Sequence, residues 1–169
     1  MTIQVLWQSD VNGEQIRQEI DFLGEVFVLT FVGDVIIDTT WQLAPCGFHQ
    51  DRLAMPEKTI QALLNPGEND VQVRLLERGS AFSRAVWLAL TEIPLGRVMT
   101  YSDLAVKLKS GPRAVAQACR NNPYPGIIPC HRVVSKAGIG GFMGKAQGPW
   151  IELKQRLLSY ELDRARGLL

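Results

Sequence analysis

Residues 26–41, VFVLTFVGDVIIDTTW, are two runs of β-branched and aromatic side chains on either side of Gly33-Asp34. Such residues are stiff at χ1 and pack well on a pleated surface. A two-residue link that opens with glycine supplies the positive φ of a tight hairpin turn. The stretch therefore predicts two antiparallel strands, and a hairpin this apolar needs further strands or a helix to cover it. Residues 4–8 (QVLWQ) read as an additional strand and residues 70–79 (DVQVRLLERG) as a last one. Residues 56–67 (PEKTIQALLNPG) place Pro56 and Glu57 at a helix start and stop at Asn65-Pro66-Gly67. The first half is predicted to be a small α/β unit, residues 1–79.

The second half, residues 80–169, changes character. Residues 80–96 carry Phe82, Val86, Leu90 and Ile93 at helical spacing, with Ser80 as a cap and Pro94 and Gly96 as stops. Residues 100–111 open on Thr100 or Ser102 as cap and read as a helix of about two turns. Gly111 breaks it, and residues 112–122 resume with Pro112 in the first turn, where a missing N–H costs nothing. Two short helices across a glycine-containing turn form a helix-turn-helix candidate. Residues 148–165 read as a closing helix, apolar at Trp150, Leu153, Leu157, Leu158 and Leu162.

Charge divides at the same place. Residues 1–79 hold five Lys/Arg against twelve Asp/Glu, a net of −7; residues 80–169 hold thirteen against five, a net of +8. A division this complete favours a polyanion as partner of the second half. The second helix of the candidate motif offers Arg113 and Gln117 at exposed positions, with alanines at 114, 116 and 118. Alanines are good helix formers with nothing to add; they also let a helix approach a groove closely while reading few bases. That pattern suits inspection of DNA more than recognition of one operator.

The chemistry-bearing residues are few: three cysteines and two histidines, of which Cys130 and His131 are neighbours in PCHRVV. Cys46, Cys119 and Cys130 are odd in number and widely spaced, so a disulfide framework is not expected. Cys46-x-x-His49 offers two metal ligands without a matching second pair, and structural zinc needs four; no metal and no cofactor is expected. The N-terminus has no basic segment ahead of an apolar run, and no stretch is long enough for a membrane span, so a cytoplasmic protein with no membrane partner is expected; a monomer is expected as well. Cys130 itself reads two ways. A free cysteine is often a small buried hydrophobe, while a nucleophilic thiol needs a base or positive field beside it. His131 and Arg132 stand within two residues, and Glu161 is available to orient a histidine. A regular strand would point residues 130 and 131 to opposite faces, so the loop must bend or a water must bridge them.

Five stretches between Ser80 and Glu161 resemble the O6-alkylguanine-DNA alkyltransferases, also called methylated-DNA–protein-cysteine methyltransferases: FSRAVWLALTEIPLGRVMTYSDLA, RAVAQACRNNP, IPCHRVV, GGFMG and KQRLLSYE. The resemblance implies an RNase H-like α/β first domain and a mainly helical DNA-binding domain with a helix-turn-helix. It implies repair of double-stranded DNA containing O6-alkylguanine, with O4-alkylthymine as a second substrate within the same family expectation. The damaged base is flipped out of the duplex, and its alkyl group passes irreversibly to a cysteine, one turnover per molecule. Carried over position by position, Cys130 accepts the alkyl group, His131 acts as base through a water, and Glu161 polarises it. Asn122 orients the site loop, Tyr101 presses on the target phosphate and donates toward N3, and Lys154 lies near the Tyr101 hydroxyl. Arg113 fills the gap in the stack, with Ala114 and Gln117 on the DNA-facing helix. The carbonyls of Cys130 and Val133 accept from the guanine amine, and Phe142, Met143 and Gly144 form the pocket loop.

Three departures stand out. Ala116 takes the place of a common glycine, the turn before Arg113 is about two residues short, and Phe142-Met143 replaces a usual tyrosine followed often by a hydroxyl residue. Two other function classes fit the sequence less well. A damage sensor would use only the helix-turn-helix, but sensor relatives without chemistry lack the cysteine. A Cys-His hydrolase would turn over and needs an oxyanion hole, for which no motif is present.

Overall fold

Gly33 adopts φ 60° in the structure, a computed structural model in which residues 3–43 and 71–169 are described. The chain reverses there as its sequence predicts. Five strands form one sheet: β1 (Ile3–Gln8), β2 (Ile16–Phe22), β3 (Glu25–Val32), β4 (Val35–Gln42) and β5 (Val71–Leu76), in the order β1-β5-β4-β3-β2. β2–β3 and β3–β4 pair antiparallel, whereas β5 runs parallel to both β1 and β4. β3 is buried along nearly its whole length, which its almost unbroken apolar run EVFVLTFV requires. Phe27 and Trp41 pack with ring centroids 4.8 Å apart across the β3–β4 pair. β2 has the mostly polar sequence IRQEIDF, which carries no strand pattern of its own, and pairs along β3. The predicted helix at 56–67 lies outside the described residues, as do Cys46 and His49.

The chain separates into two compact units. The first holds this sheet and also takes in Pro123–Ile127 from the second half. Thr39 binds that segment twice, its backbone N–H donating to the Pro123 carbonyl at 3.2 Å and its hydroxyl to the Pro125 carbonyl at 2.9 Å. The Tyr124 hydroxyl donates to the Leu76 carbonyl at 2.5 Å. Gly126 sits at φ 98°, and a Cβ there would lie 2.7 Å from a Phe27 ring carbon, so only glycine lets the segment lie this close.

The second unit, Gly79–Asn122 with Ile128–Leu169, is mainly helical. α1 (Ala81–Thr91) starts where Ser80 Oγ accepts from the Ser83 N–H, and α2 (Tyr101–Lys107) starts where Thr100 Oγ1 accepts from the Asp103 N–H. α3 (Pro112–Arg120) has Pro112 in its first turn, and α4 (Pro149–Ala165) closes the chain. Trp87 on α1 is buried and donates its indole N–H to the Ala118 carbonyl on α3 at 2.9 Å. Lys109 in the link between α2 and α3 takes φ 51°. The structure thus has the mixed α/β composition expected, a five-stranded sheet plus helices.

Candidate active site

A two-residue parallel ladder decides where the site forms. β6 (Met99–Thr100) pairs with β7 (Val133–Val134), Met99 opposite Val133 and Thr100 opposite Val134. Tyr101 follows β6 directly and the single 3₁₀ turn Cys130–Arg132 precedes β7, so these distant residues meet. The bend that the Cys-His adjacency required is built by Pro129. At φ −81°, ψ 64° it makes an inverse γ-turn, with the Cys130 N–H donating to the Ile128 carbonyl at 2.8 Å. Asn122 Nδ2 donates to the same carbonyl at 2.9 Å, which ties α3's end to the turn.

Cys130 is buried, and burial pushes its thiol up. Opposing that are a hydrogen bond from the Asn122 side chain, the Lys154 ammonium, and the backbone N–H groups of Cys130 and His131. Lys154 is fully buried on α4 and donates Nζ to the Val133 carbonyl at 2.6 Å and the Gly141 carbonyl at 3.0 Å. Burial draws its ammonium down to about 8, while the Cys130 and Cys119 thiolates act to raise it. A cation is thereby held beside the thiol by two carbonyls. Tyr101 is pushed up to about 12, by burial first and then by the two cysteines; it is a neutral hydrogen-bond donor at ordinary pH.

His131 turns away from solvent toward α4, where Nε2 lies 2.7 Å from Glu161 Oε1. Arg132 reaches the same carboxylate, Nε to Oε2 at 2.8 Å and Nη2 to Oε1 at 2.9 Å, and gives Nη1 to the Ile93 carbonyl at 2.6 Å. Burial alone would raise Glu161, yet His131 and Arg132 hold its carboxyl at about 2. An ionised carboxylate only accepts, so a neutral His131 must carry its proton on Nε2. Nδ1 is then the basic nitrogen; it is buried and has no hydrogen-bond partner among the described residues.

A pocket of about 310 Å³ opens onto Cys130, within the size range of small-molecule sites (about 300–1,000 Å³). Of the sequence-predicted residues, Tyr101, Cys130, Phe142, Met143 and Gly144 line it. Asn122 and Lys154 do not line it but act on Cys130. Val133 is not a lining residue: its side chain is fully buried and its carbonyl takes Lys154. The Lys154 hydrogen bonds go to the Val133 and Gly141 carbonyls. Arg113, Ala114 and Gln117 lie exposed on α3. Cys119, Arg120 and Lys145 also line the pocket and were not singled out from sequence. A signal existed for two of them, since Ala116, Cys119 and Arg120 are spaced i, i+3, i+4 and share one helix face. Among the described residues no group of three or more His, Cys, Asp or Glu comes together to hold a metal. Nor, among them, is any helix long and apolar enough to cross a membrane.

Residues 81–162 match the family described as 6-O-methylguanine DNA methyltransferase, DNA binding domain, which gives the class. The chain is 32% identical over 161 residues to the methylated-DNA–protein-cysteine methyltransferase of Thermococcus barophilus, covering 81% of this chain and 89% of that protein. It is 47% identical over 94 residues to the Archaeoglobus fulgidus protein of the same name, covering 54% of this chain and 64% of that one. The crystal structure of Mycobacterium tuberculosis OGT in complex with DNA superposes with a TM-score of 0.63 at 27% identity, over 88% of this chain and 93% of that one. The chain belongs to the methylated-DNA–protein-cysteine methyltransferase family.

Proposed function

We propose that this protein repairs O6-alkylguanine in DNA by taking the alkyl group onto Cys130. The observation that carries the reading is a cysteine lining a pocket of base-accommodating size, with Lys154 and Asn122 directed at its sulfur. Burial keeps the thiol protonated at rest, so the proton must leave as the substrate arrives. His131 Nδ1 receives it through a water, and Glu161 stabilises the imidazolium that results. The thiolate attacks the alkyl carbon in line; the S–C bond forms as the C–O6 bond breaks, and the electron pair departs on the guanine. Tyr101 donates a hydrogen bond toward N3 of that leaving guanine, as a phenol still neutral at pH 7 is able to do. A thioether has no hydrolytic exit, so each molecule reacts once.

Delivery of the base follows from α3. We read α2 and α3 as a helix-turn-helix whose second helix exposes Arg113, Ala114 and Gln117 to DNA. On the adjacent face Ala116 and Cys119 wall the pocket, so the helix that opens the duplex also borders the cavity receiving the flipped nucleotide. Arg113 takes the vacated place in the stack. The mixed sheet of the first unit supports an RNase H-like reading of that domain.

Replacing Cys130 by Ser tests the division of labour. The variant is expected to lose alkyl uptake and keep the wild-type affinity for a duplex containing O6-methylguanine; loss of both would overturn it.

A further inference from the structure

The pocket carries more positive charge than the chemistry at its base uses. Arg120 and Lys145 line it in addition to the Cys130 environment, both exposed, and no carboxylate is among the lining residues. Neither side chain has an ion pair or hydrogen bond with another described residue. Arg120 is the last residue of α3. Lys145 closes a two-residue turn in which Phe142 and Lys145 exchange both backbone hydrogen bonds at 2.9 Å, with Met143 at φ 48° and Gly144 at φ 74°. Positive φ at both central positions is the type I′ pattern, and Met143 holds a conformation that costs a non-glycine residue free energy. The guanidinium lies against this turn: a Cβ on Gly144 would stand 3.5 Å from Arg120 Nε. Helix end and strained turn therefore bring two cations, neither with an ionic partner among the described residues, to the exposed end of the pocket. Cys130, Tyr101 and Cys119 occupy the less exposed end.

We propose that Arg120 and Lys145 form a clamp for the DNA phosphates flanking the extruded nucleotide. The inference rests on the transfer reading above for the orientation of the base. With the alkyl carbon at Cys130, the sugar and its two phosphates must leave through the exposed end, where both cations stand. A planar guanidinium suits a phosphate's paired oxygens and a lysine adds a mobile point charge. These are positioning residues: they hold the flipped state and touch no reacting atom.

The test is a coupling measurement on Cys130→Ser protein, so that binding is read without transfer. Dissociation constants are measured by fluorescence anisotropy for O6-methylguanine duplexes with either all phosphates or one neutral methylphosphonate, 5′ or 3′ of the lesion. Arg120→Ala is expected to weaken binding of the all-phosphate duplex roughly tenfold and to lower the salt slope by about 1. One of the two methylphosphonates should weaken the parent to a similar degree, and adding it to Arg120→Ala should weaken binding no further. Lys145→Ala should show the same non-additivity with a smaller loss. Multiplicative losses, or no loss on removing either cation, would overturn the clamp. So would unchanged affinity with slowed transfer when Arg120→Ala is placed in the Cys130 protein, since that assigns the charge to the thiol. Methyl uptake by the wild-type protein is weighed in parallel: absence of uptake with intact coupling would sink the transfer reading and leave the clamp standing.

Discussion

Arg132 grips Glu161 through two hydrogen bonds of 2.8 and 2.9 Å, and both side chains are buried. The same carboxylate holds His131, so one acidic residue of α4 fixes two consecutive residues of the Cys130 turn. Arg132 spends its hydrogen bonds on Glu161 and the Ile93 carbonyl, which ties it to the fold. Removing one partner of a buried pair leaves an uncompensated charge and costs about 3–5 kcal/mol. Arg132→Ala should therefore lower the melting temperature steeply, with the thiol pKa of the folded fraction unchanged. A raised thiol pKa at unchanged stability would contradict this.

Acid should act through Glu161. Its carboxyl ordinarily titrates at 4.5 but is held at about 2 in the folded protein. Between those values the unfolded chain binds a proton that the folded chain refuses, so the stability this group contributes is complete above about 4.5 and is lost as pH falls toward 2. The wild-type melting temperature should drop more steeply over that window than that of Glu161→Gln, which has no carboxyl to titrate there. Equal slopes would show that the carboxylate is not held as described.

Lys154 acts on the thiol directly. Its ammonium is one of the groups pulling Cys130 down against burial, after Asn122. Lys154→Met keeps an unbranched chain and removes the charge. It is expected to raise the pH midpoint of thiol alkylation by iodoacetamide and to slow methyl transfer at neutral pH about tenfold or more. An unshifted midpoint would remove Lys154 from the activation of the thiol.

Asn122 has two tasks, a hydrogen bond to the Ile128 carbonyl and one to the Cys130 sulfur. Asn122→Ala should cost about 1 kcal/mol of stability for the first and raise the thiol midpoint for the second. Chemical denaturation and thiol titration separate the two losses. A stability loss with an unmoved midpoint would leave Asn122 a purely structural residue.

Much of this was legible from sequence, for identifiable reasons. Gly33-Asp34 between apolar runs forces the β3–β4 hairpin, and Ser80, Thr100 and Pro112 mark helix starts that the structure places at those residues. Strand β2 was not legible. Its sequence IRQEIDF is mostly polar, and pairing with β3 along one side, more than its own alternation, makes it a strand. The β6–β7 ladder is two residues long and joins Met99 to Val133, too short and too distant for any local pattern. Docking of Pro123–Ile127 onto the first unit depends on Thr39 and Leu76, residues nothing local in that segment points to. In the site, Cys130, His131 and Glu161 were readable as chemistry-bearing types. Arg120 and Lys145 were not, because a surface cation becomes informative only when the residues that fail to neutralise it are known.

The central claim is that Cys130 is an alkyl acceptor consumed in a single event. Intact-protein mass spectrometry after incubation with an excess of duplex DNA containing O6-methylguanine tests it, with peptide mapping to place the adduct. The account predicts one methyl group per molecule, located on Cys130, with no further repair once the protein is fully modified. An unmodified protein, a methyl group on another residue such as Cys119, or repair of many lesions per molecule would contradict it.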